Sequence, residues 1–258
     1  MLLTVDVGNS NTVLGVFDGS DLRVHWRLTT RREQTTDEYG ILVRNLFATS
    51  GIEPKDIDGV AIASVVPPLG PVLVALSREY LGREPLVVEP GVKTGMPILY
   101  EPPGDVGADR ILNGVAAFAA VGGAVVVVDF GTATTFDVVT KKGEYAGGVI
   151  CPGIGISADA LFQRAARLPR VDVRHPGRVI GRSTVSSIQS GLYFGYAAMC
   201  EGILERIRAE LGEPIEVIAT GGLAEALAAE IPSIGRVDPV LTLTGLRLIW
   251  ERNRPDAR

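Results

Sequence analysis

The sequence predicts an α/β protein of two lobes, each built on a mixed β-sheet, and three observations support this prediction. A strand–turn–strand motif occurs twice, over 2–17 and again over 126–139. Segments with strand and helix patterns alternate along the chain. The 258 residues suffice for two lobes of roughly 100–150 residues each. We expect one lobe over 1–107 and the other over 108–258.

Both copies of the motif consist of an apolar strand, an Asp-x-Gly turn rich in hydroxyl and amide side chains, and a returning apolar strand. A direct alignment places Asp6 on Asp129, Gly8 on Gly131, Asn9 on Thr132, Asn11 on Thr134 and Thr12 on Thr135. The alternative interpretation is two unrelated hairpins, because turns favour Asp and Gly in any case. The matched hydroxyl and amide side chains, repeated close to half a chain later, favour a duplicated functional hairpin.

The composition of the two turns indicates phosphate binding. Glycine lets the backbone approach a ligand closely. Hydroxyl and amide groups can hydrogen-bond phosphate oxygens, and the aspartate can hold a cation or a water molecule beside them. Two such hairpins facing each other would form a clamp for the phosphate chain of a nucleotide.

In the first lobe the order is β-β-β-α-β-α-β. A helix is predicted from Thr36 to Ser50, because Asp37 and Glu38 fall in its first turn and Gly51 follows its end. A buried strand stops at the Pro67–Pro68 pair. The predicted strands are 2–7, 12–18, 22–29, 59–66 and 85–89, and the predicted helices are 36–50 and 71–81.

The second lobe follows a Pro- and Gly-rich loop over 92–107. The apolar spacing of Ile111, Val115 and Phe118 predicts a helix over 108–121. Beyond it we expect a strand at 125–129 whose hairpin continues to 139, and further strands at 145–150 and 215–220. Helices are expected at about 155–168 and 186–211, with a basic surface loop at 169–182 between them. Two short helices are expected at the end.

The helix over 186–211 is apolar on nearly all sides. Ile188, Leu192 and Tyr196 begin one apolar face, and Phe194 and Ala197 extend the apolar surface to other sides. A helix of this kind is buried in a core or at a subunit interface. Both readings stay open on the sequence, and the second predicts a homodimer through this helix.

Composition excludes several classes of protein. The net charge of −5 and the pI near 5.2 argue against nucleic-acid binding driven by a general positive field. Two cysteines and two histidines make a disulfide framework, a cysteine zinc site or a histidine triad improbable. The chain begins without a basic signal-peptide region, and its apolar runs contain glycines and end in charges. We expect a cytosolic protein that binds no membrane.

Six motifs together resemble the type III pantothenate kinases over essentially the whole chain. In order, they are Asp6-Val-Gly-Asn-Ser-Asn11, Gly107-Ala-Asp-Arg110, Asp129-Phe-Gly-Thr-Ala-Thr-Thr135, Gly147-Gly-x-x-x-Pro-Gly153, Gln189-Ser-Gly191 and Thr220-Gly-Gly222. The resemblance implies two ribonuclease-H-like lobes of the actin/hexokinase superfold with ATP in the cleft. It implies a cytosolic homodimer that phosphorylates pantothenate to 4′-phosphopantothenate, the first step toward coenzyme A, using a divalent metal such as Mg²⁺ with ATP and a monovalent cation, K⁺ or NH₄⁺.

The resemblance also implies roles for particular residues. Asp109 would be the general base, and Asp129 would bind the monovalent cation. Residues implied to bind ATP are Asp6, Val7, Gly8, Asn9, Ser10, Asn11, Thr12, Val13 and Thr132. Residues implied to contact pantothenate are Tyr100, Gly107, Ala108, Asp109, Arg110 and Thr184.

For three of these residues, the side-chain chemistry itself offers both a functional and a structural explanation. Asp109 suits a base that accepts the proton of the substrate hydroxyl, but an Asp at a helix N-terminus also has a purely structural explanation. Arg110 suits a bidentate contact with a carboxylate, but most helix arginines are simply exposed. Asp129 ends a run of four valines; a buried carboxylate there needs a partner such as a cation, although it could merely cap a turn. Tyr100 and Thr184 carry only weak signals of their own.

Alternative functions remain open on the sequence. No Gly-x-x-x-x-Gly-Lys-Ser/Thr segment occurs, so the chain is not a P-loop kinase. A sugar or short-chain acid kinase of the same superfold would share the hairpins but lack Gly107-Ala-Asp-Arg110. A nonenzymatic regulatory member would be expected to lose Asp109 or the hairpin glycines. A chaperone-like ATPase would need a longer chain.

Overall fold

The computed structural model describes residues 1–254, and the chain divides into two compact units. The first unit contains Met1–Ala116 and the segment from Leu241 onward, and the second contains Ala117–Val240. The predicted lobes, 1–107 and 108–258, differ from this division at two helices. The start of α3 (Ala108–Val121) and the whole of α7 (Leu241–Asn253) belong to the first unit.

The first unit contains a five-stranded sheet in the order β3-β2-β1-β4-β5. Strand β1 pairs antiparallel with β2 and parallel with β4, so it lies at the centre. Helices α1, α2, α7 and the start of α3 also belong to the unit, and α7 packs against β1, β2 and β4. The elements are β1 (Leu2–Val7), β2 (Asn11–Asp18), β3 (Asp21–Thr29), α1 (Thr36–Thr49), β4 (Gly59–Ser64), α2 (Leu69–Leu81) and β5 (Leu86–Val87).

The second unit repeats this topology with the order β8-β7-β6-β9-β10. Strand β6 takes the place of β1, since it pairs antiparallel with β7 and parallel with β9. The predicted duplication therefore extends from the hairpins to whole sheets. The elements are β6 (Val125–Phe130), β7 (Ala133–Val139), β8 (Tyr145–Pro152), α4 (Ile154–Arg164), α5 (Thr184–Leu211), β9 (Glu216–Thr220), α6 (Ala224–Ala228) and β10 (Arg236–Val237).

The strand registers correct the residue alignment of the two hairpins. Asp6 lies opposite Val13 and Val7 opposite Thr12, whereas Asp129 lies opposite Thr135 and Phe130 opposite Thr134. The second turn is therefore one residue shorter than the first. Thr12 therefore corresponds to Thr134 and not to Thr135. Thr12 and Thr134 are both fully buried. A direct alignment misses this because it keeps one spacing through the turn.

The long helix α5 begins two residues earlier than predicted and supplies one wall of the second core. It buries the side chains of Leu192, Tyr193, Ala197, Cys200 and Leu204. Val185 in its first turn is exposed, and its remaining large apolar side chains are only partly buried against the same core. Packing in the core of the second unit accounts for one apolar face of α5. The homodimer contact expected through this helix stays a proposal. Among residues 1–254, no helix is long and apolar enough to cross a membrane.

The chain end contains a short helix, a two-residue strand and a 13-residue helix where the sequence predicted two short helices. Strand β10 is too short to give an alternating pattern, and it forms by pairing with β9. Helix α7 belongs to the first unit, where it packs against β1, β2 and β4, and its Gly245 lies directly on the backbone of α3. A Cβ atom at Gly245 would lie 2.2 Å from the Leu112 carbonyl oxygen.

Gly245→Ala is expected to destabilise the protein, because the backbone of α3 leaves no room for a methyl group. Overpacking of this kind costs about 1–3 kcal/mol of unfolding free energy. Gly70→Ala is the matched control: Gly70 also lies in a helix, but a Cβ there meets nothing within 4 Å, so alanine should be neutral or stabilising. Urea unfolding measures both. Equal stabilities of the two variants would contradict the close packing of α7 on α3.

Candidate active site

The first hairpin turns at Gly8–Ser10 between β1 and β2. The Gly8 amide donates a hydrogen bond to the Asn11 carbonyl at 2.9 Å, and this bond closes the turn. The side chains of Asn9, Ser10 and Asn11 are exposed, while Asp6 is half-buried at the end of its strand. Amide and hydroxyl groups are thereby presented together at one tip, as phosphate binding requires.

Two residues that the sequence analysis missed hold this turn in place. The Thr30 hydroxyl donates to the Gly8 carbonyl at 2.8 Å and lies 3.0 Å from the Thr12 hydroxyl. The Thr30 amide donates to the Ser10 carbonyl at 3.0 Å. The Arg32 guanidinium donates to Asn9 Oδ1 at 3.3 Å. The available signal was the polar run that follows β3 directly.

The second hairpin turns at Gly131 and Thr132, and the Gly131 amide donates to the Ala133 carbonyl at 3.0 Å. The Thr132 side chain is exposed, and Asp129 is half-buried. Asp129 was expected to be buried or nearly so; the end of its strand leaves the carboxylate partly open. This turn therefore presents a hydroxyl and a carboxylate on a short, hydrogen-bonded backbone.

Two glycines from other elements hold the second turn on both sides. The Gly153 amide donates to the Thr132 carbonyl at 3.1 Å, and a Cβ at Gly153 would lie 2.1 Å from that oxygen. Gly221 has a φ of +93°, and a Cβ there would lie 2.5 Å from Asp129 Oδ1. The two glycine motifs found in the sequence thus allow close approach to Thr132 and Asp129.

The Gly107–Arg110 segment forms the start of α3. The Arg110 amide donates to the Gly107 carbonyl at 3.1 Å and to Asp109 Oδ1 at 2.9 Å. Burial raises the pKa of the Asp109 carboxyl above its ordinary value, and the hydrogen bond and charge of Arg110 offset part of that increase. Arg110 is only 8% exposed, so it is not a solvated helix charge. A half-buried carboxyl with a raised pKa is suited to proton transfer.

The remaining predicted residues lie on separate elements. Tyr100 is half-buried in the loop before α3. Thr184 is the first residue of α5, with an exposed side chain, next to the N-cap Ser183. The first unit thus contains the first hairpin, Tyr100 and the Gly107–Arg110 segment, and the second contains the other hairpin and Thr184.

Duplicated sheets of this topology, each with an Asp-x-Gly hairpin, define the class of ATP-dependent kinases and ATPases with the actin/hexokinase superfold. A family model described as "Type III pantothenate kinase" matches residues 2–206. The chain belongs to the type III pantothenate kinase family. It is accordingly an enzyme that phosphorylates pantothenate with ATP, in the synthesis of coenzyme A.

Relatives named type III pantothenate kinase cover nearly the whole chain. The protein of Anaeromyxobacter sp. (strain K) is 58% identical over 254 residues, which are 98% of this chain and 100% of that protein. The protein of Koribacter versatilis (strain Ellin345) is 56% identical over 268 aligned positions, with 100% of this chain and 98% of that protein covered.

Solved structures share the fold at low identity. A Campylobacter jejuni protein named as a Baf family transcriptional activator superposes with a TM-score of 0.61 and 20% identity, covering 97% of this chain and 98% of its own. The ethanolamine utilization protein EutJ of Carboxydothermus hydrogenoformans gives a TM-score of 0.53 with 18% identity, covering 96% of this chain and 89% of its own. These likenesses concern the fold alone.

Gly153→Ala is expected to impair use of ATP, because the methyl group would displace the Thr132 carbonyl and with it the second turn. We expect a rise in KM for ATP, or a fall in kcat, of about tenfold or more, in line with a displacement of about 1 Å in a catalytic site. Gly155→Ala is the control, since a Cβ there meets nothing within 4 Å. Steady-state kinetics with varied ATP measure both variants. A wild-type kcat and KM for ATP in Gly153→Ala would show that the close packing of Gly153 on the Thr132 carbonyl is dispensable.

Proposed function

We propose that the two Asp-x-Gly turns bind the phosphate chain of ATP, and that the segment from Tyr100 to Arg110 binds pantothenate. The observation that carries this proposal is the duplicated turn, closed by a glycine amide in each copy. Backbone amides and short polar side chains at such turns bind phosphate oxygens. The proposed ATP-binding residues are Asp6, Val7, Gly8, Asn9, Ser10, Asn11, Thr12, Val13 and Thr132.

Asp109 is the proposed general base. The primary hydroxyl of pantothenate attacks the γ-phosphorus of ATP, its proton passes to the Asp109 carboxylate, and the bond from the γ-phosphorus to the bridging oxygen breaks to release ADP. Positioning and charge stabilisation supply most of the catalysis in such transfers. The position of Asp109 in the first turn of α3, fixed by the Arg110 amide, supports this role.

Pantothenate also has a carboxylate, and Arg110 is the proposed anchor for it. A guanidinium can bind a carboxylate through two parallel hydrogen bonds. Arg110 belongs to the Gly107–Arg110 motif and is only 8% exposed, so its guanidinium is not simply a solvated charge on a helix. Tyr100, Gly107, Ala108 and Thr184 are the proposed further contacts of this substrate.

Asp129 is the proposed ligand of a monovalent cation, K⁺ or NH₄⁺. A half-buried carboxylate at a turn fits such an ion, since oxygen atoms are the ligands that hard cations prefer. When bound, the cation would offset negative charge near the ATP phosphates. Mg²⁺ is proposed to bind with ATP, because this ion is held mainly by phosphates, water and one or two carboxylates.

Asp109→Asn is expected to fold and to lose about 10²–10⁴-fold in kcat, the contribution of a positioned base. In the wild type, kcat/KM for pantothenate should fall at acid pH with an apparent pKa above the ordinary value of aspartic acid, because the protonated carboxyl cannot accept a proton. The raised pKa also means that the ionised carboxylate destabilises the fold at neutral pH and that this effect fades as the pH falls.

The matching stability measurement is urea unfolding of Asp109→Asn. The variant should be more stable than the wild type at pH 7, with a smaller difference near pH 4.

A variant that kept more than about a tenth of wild-type kcat would show that Asp109 is not the base, since base catalysis contributes at least about 10²-fold.

The wild-type enzyme is expected to need K⁺ or NH₄⁺ and to work poorly when Na⁺ is the only monovalent cation. Asp129→Ala should abolish the difference between the cations along with most of the activity, because it removes the proposed ligand. Initial rates at constant ionic strength measure this. Equal wild-type rates in sodium and potassium buffers would refute the cation assignment.

We also infer a homodimer, located in the cytoplasm where ATP is available. The second unit exposes large apolar side chains on β8, on α4, in the segment before α5 and in the first turn of α5, and exposed apolar surface commonly marks interfaces. These side chains are Ile150, Ile156, Leu161, Phe162, Val179, Ile180 and Val185. Tyr193, in contrast, is buried and donates to the Ala226 carbonyl at 2.7 Å, so it belongs to the core.

Ile180→Glu is expected to give a folded protein of half the wild-type mass with reduced activity. Ile180 is 80% exposed, so a charge there costs the isolated subunit little. Ile41→Glu is the control, since Ile41 is 60% exposed in α1 of the first unit. Light scattering during size exclusion gives the masses. A wild-type monomer at micromolar concentration, or a fully active Ile180→Glu monomer, would contradict the inferred dimer or its link to activity.

A further inference from the structure

A buried carboxylate lies in the second sheet, outside the residues assigned so far. Asp137 on β7 is fully buried. The Tyr145 hydroxyl donates to Asp137 Oδ1 at 2.7 Å, and the Thr135 hydroxyl donates to Asp137 Oδ2 at 3.1 Å. A buried carboxylate is expensive, and hydrogen bonds recover only part of the cost. The hydrogen bonds from Tyr145 and Thr135 therefore help to make this buried carboxylate tolerable.

The strand register connects this carboxylate to the second turn. Thr135 lies directly opposite Asp129 in the β6–β7 ladder. Directly opposite residues of an antiparallel pair point to the same face, with Cβ atoms about 4.5–5.5 Å apart. Asp137, two residues after Thr135, is on that face as well. Thr135 is half-buried, and its side chain neighbours Asp137 along the strand and Asp129 across the ladder.

The first hairpin is an internal comparison. In its register, Val13 occupies the place of Thr135 opposite the aspartate, and Gly15 occupies the place of Asp137. Val13 is half-buried and Gly15 buried, as their counterparts are. The same strand pairing therefore forms without the hydroxyl or the carboxylate. The backbone does not require Thr135 and Asp137, which points to a task specific to the second hairpin.

We propose that Asp137 is a positioning residue for ATP binding at the second hairpin: together with Tyr145, it holds the Thr135 hydroxyl in one orientation beside Asp129. A hydroxyl that donates its proton to a carboxylate keeps its oxygen lone pairs for other partners. Thr135 thus presents a fixed acceptor oxygen near the start of β7, just after the turn, where it is available to a cation bound beside Asp129 with the ATP phosphates. This inference rests on the proposed role of Asp129 and Thr132 in the ATP site.

The test measures binding and kinetics of Thr135→Val and Thr135→Ser. Thr135→Val gives the second hairpin the residue of the first at nearly constant volume. We expect calorimetry in the presence of Mg²⁺ and K⁺ to show about tenfold weaker binding of a nonhydrolysable ATP analogue, because one oxygen ligand of the cation beside Asp129 is lost. KM for pantothenate should not change, and Thr135→Ser should recover most of the affinity.

The role of Asp137 is tested through a double variant. If Asp137 acts through Thr135, Asp137→Asn added to Thr135→Val should weaken ATP binding no further than Thr135→Val alone. Ser77→Ala is the control for loss of a buried hydroxyl, since Ser77 lies in α2 and donates to the Arg83 carbonyl at 2.8 Å. It should keep wild-type ATP affinity even if its melting temperature falls.

Unchanged ATP affinity in Thr135→Val would overturn the inference, as would equal losses in the valine and serine variants or a further loss in the double variant. If Asp137→Asn does not fold, the valine and serine variants decide. Asp129→Ala separates this failure from failure of the proposed site. Weakened ATP binding in Asp129→Ala, with wild-type binding in Thr135→Val, refutes only the positioning role; wild-type binding in both variants refutes the site as well.

Discussion

The structure depends on one antiparallel strand pair in each sheet, β1 with β2 and β6 with β7. In each pair the central strand leads through an Asp-x-Gly turn into its neighbour. In each copy, the glycine amide donates to a carbonyl across the turn. The residues that pack against the second turn must be glycines, because their backbone lies too close to the turn to leave room for a side chain. Gly153 and Gly221 show this for the second copy, where a methyl group would collide with Thr132 or Asp129. Glycine motifs that are far apart in the sequence therefore meet at one turn.

Much of this organisation could be predicted from the sequence. The duplicated hairpin, the strand and helix order of the first lobe and the helix over 108–121 agree with the structure, because hydrophobic periodicity and caps act locally. The predicted site residues lie on strand ends, turns and helix starts, where a site is usually placed. Their chemical roles remain proposals.

Other features depend on contacts between distant segments, which local patterns do not contain. The one-residue difference between the two turns becomes visible only when the registers of Asp6 and Asp129 are compared. Helix α7 ends the chain but packs against the first sheet, so the units do not follow a single cut in the sequence. Thr30 holds the first turn by hydrogen bonds whose partners its polar segment after β3 does not specify. Each of these features is set by tertiary packing.

The central claim is that the two turns bind the ATP phosphates, and the most direct measurement is a crystal structure with a nonhydrolysable ATP analogue, Mg²⁺ and K⁺. The account predicts phosphate oxygens within hydrogen-bonding distance of the Gly8–Thr12 backbone and of the Thr132 hydroxyl, with a monovalent cation on Asp129. A triphosphate bound away from both turns would contradict it.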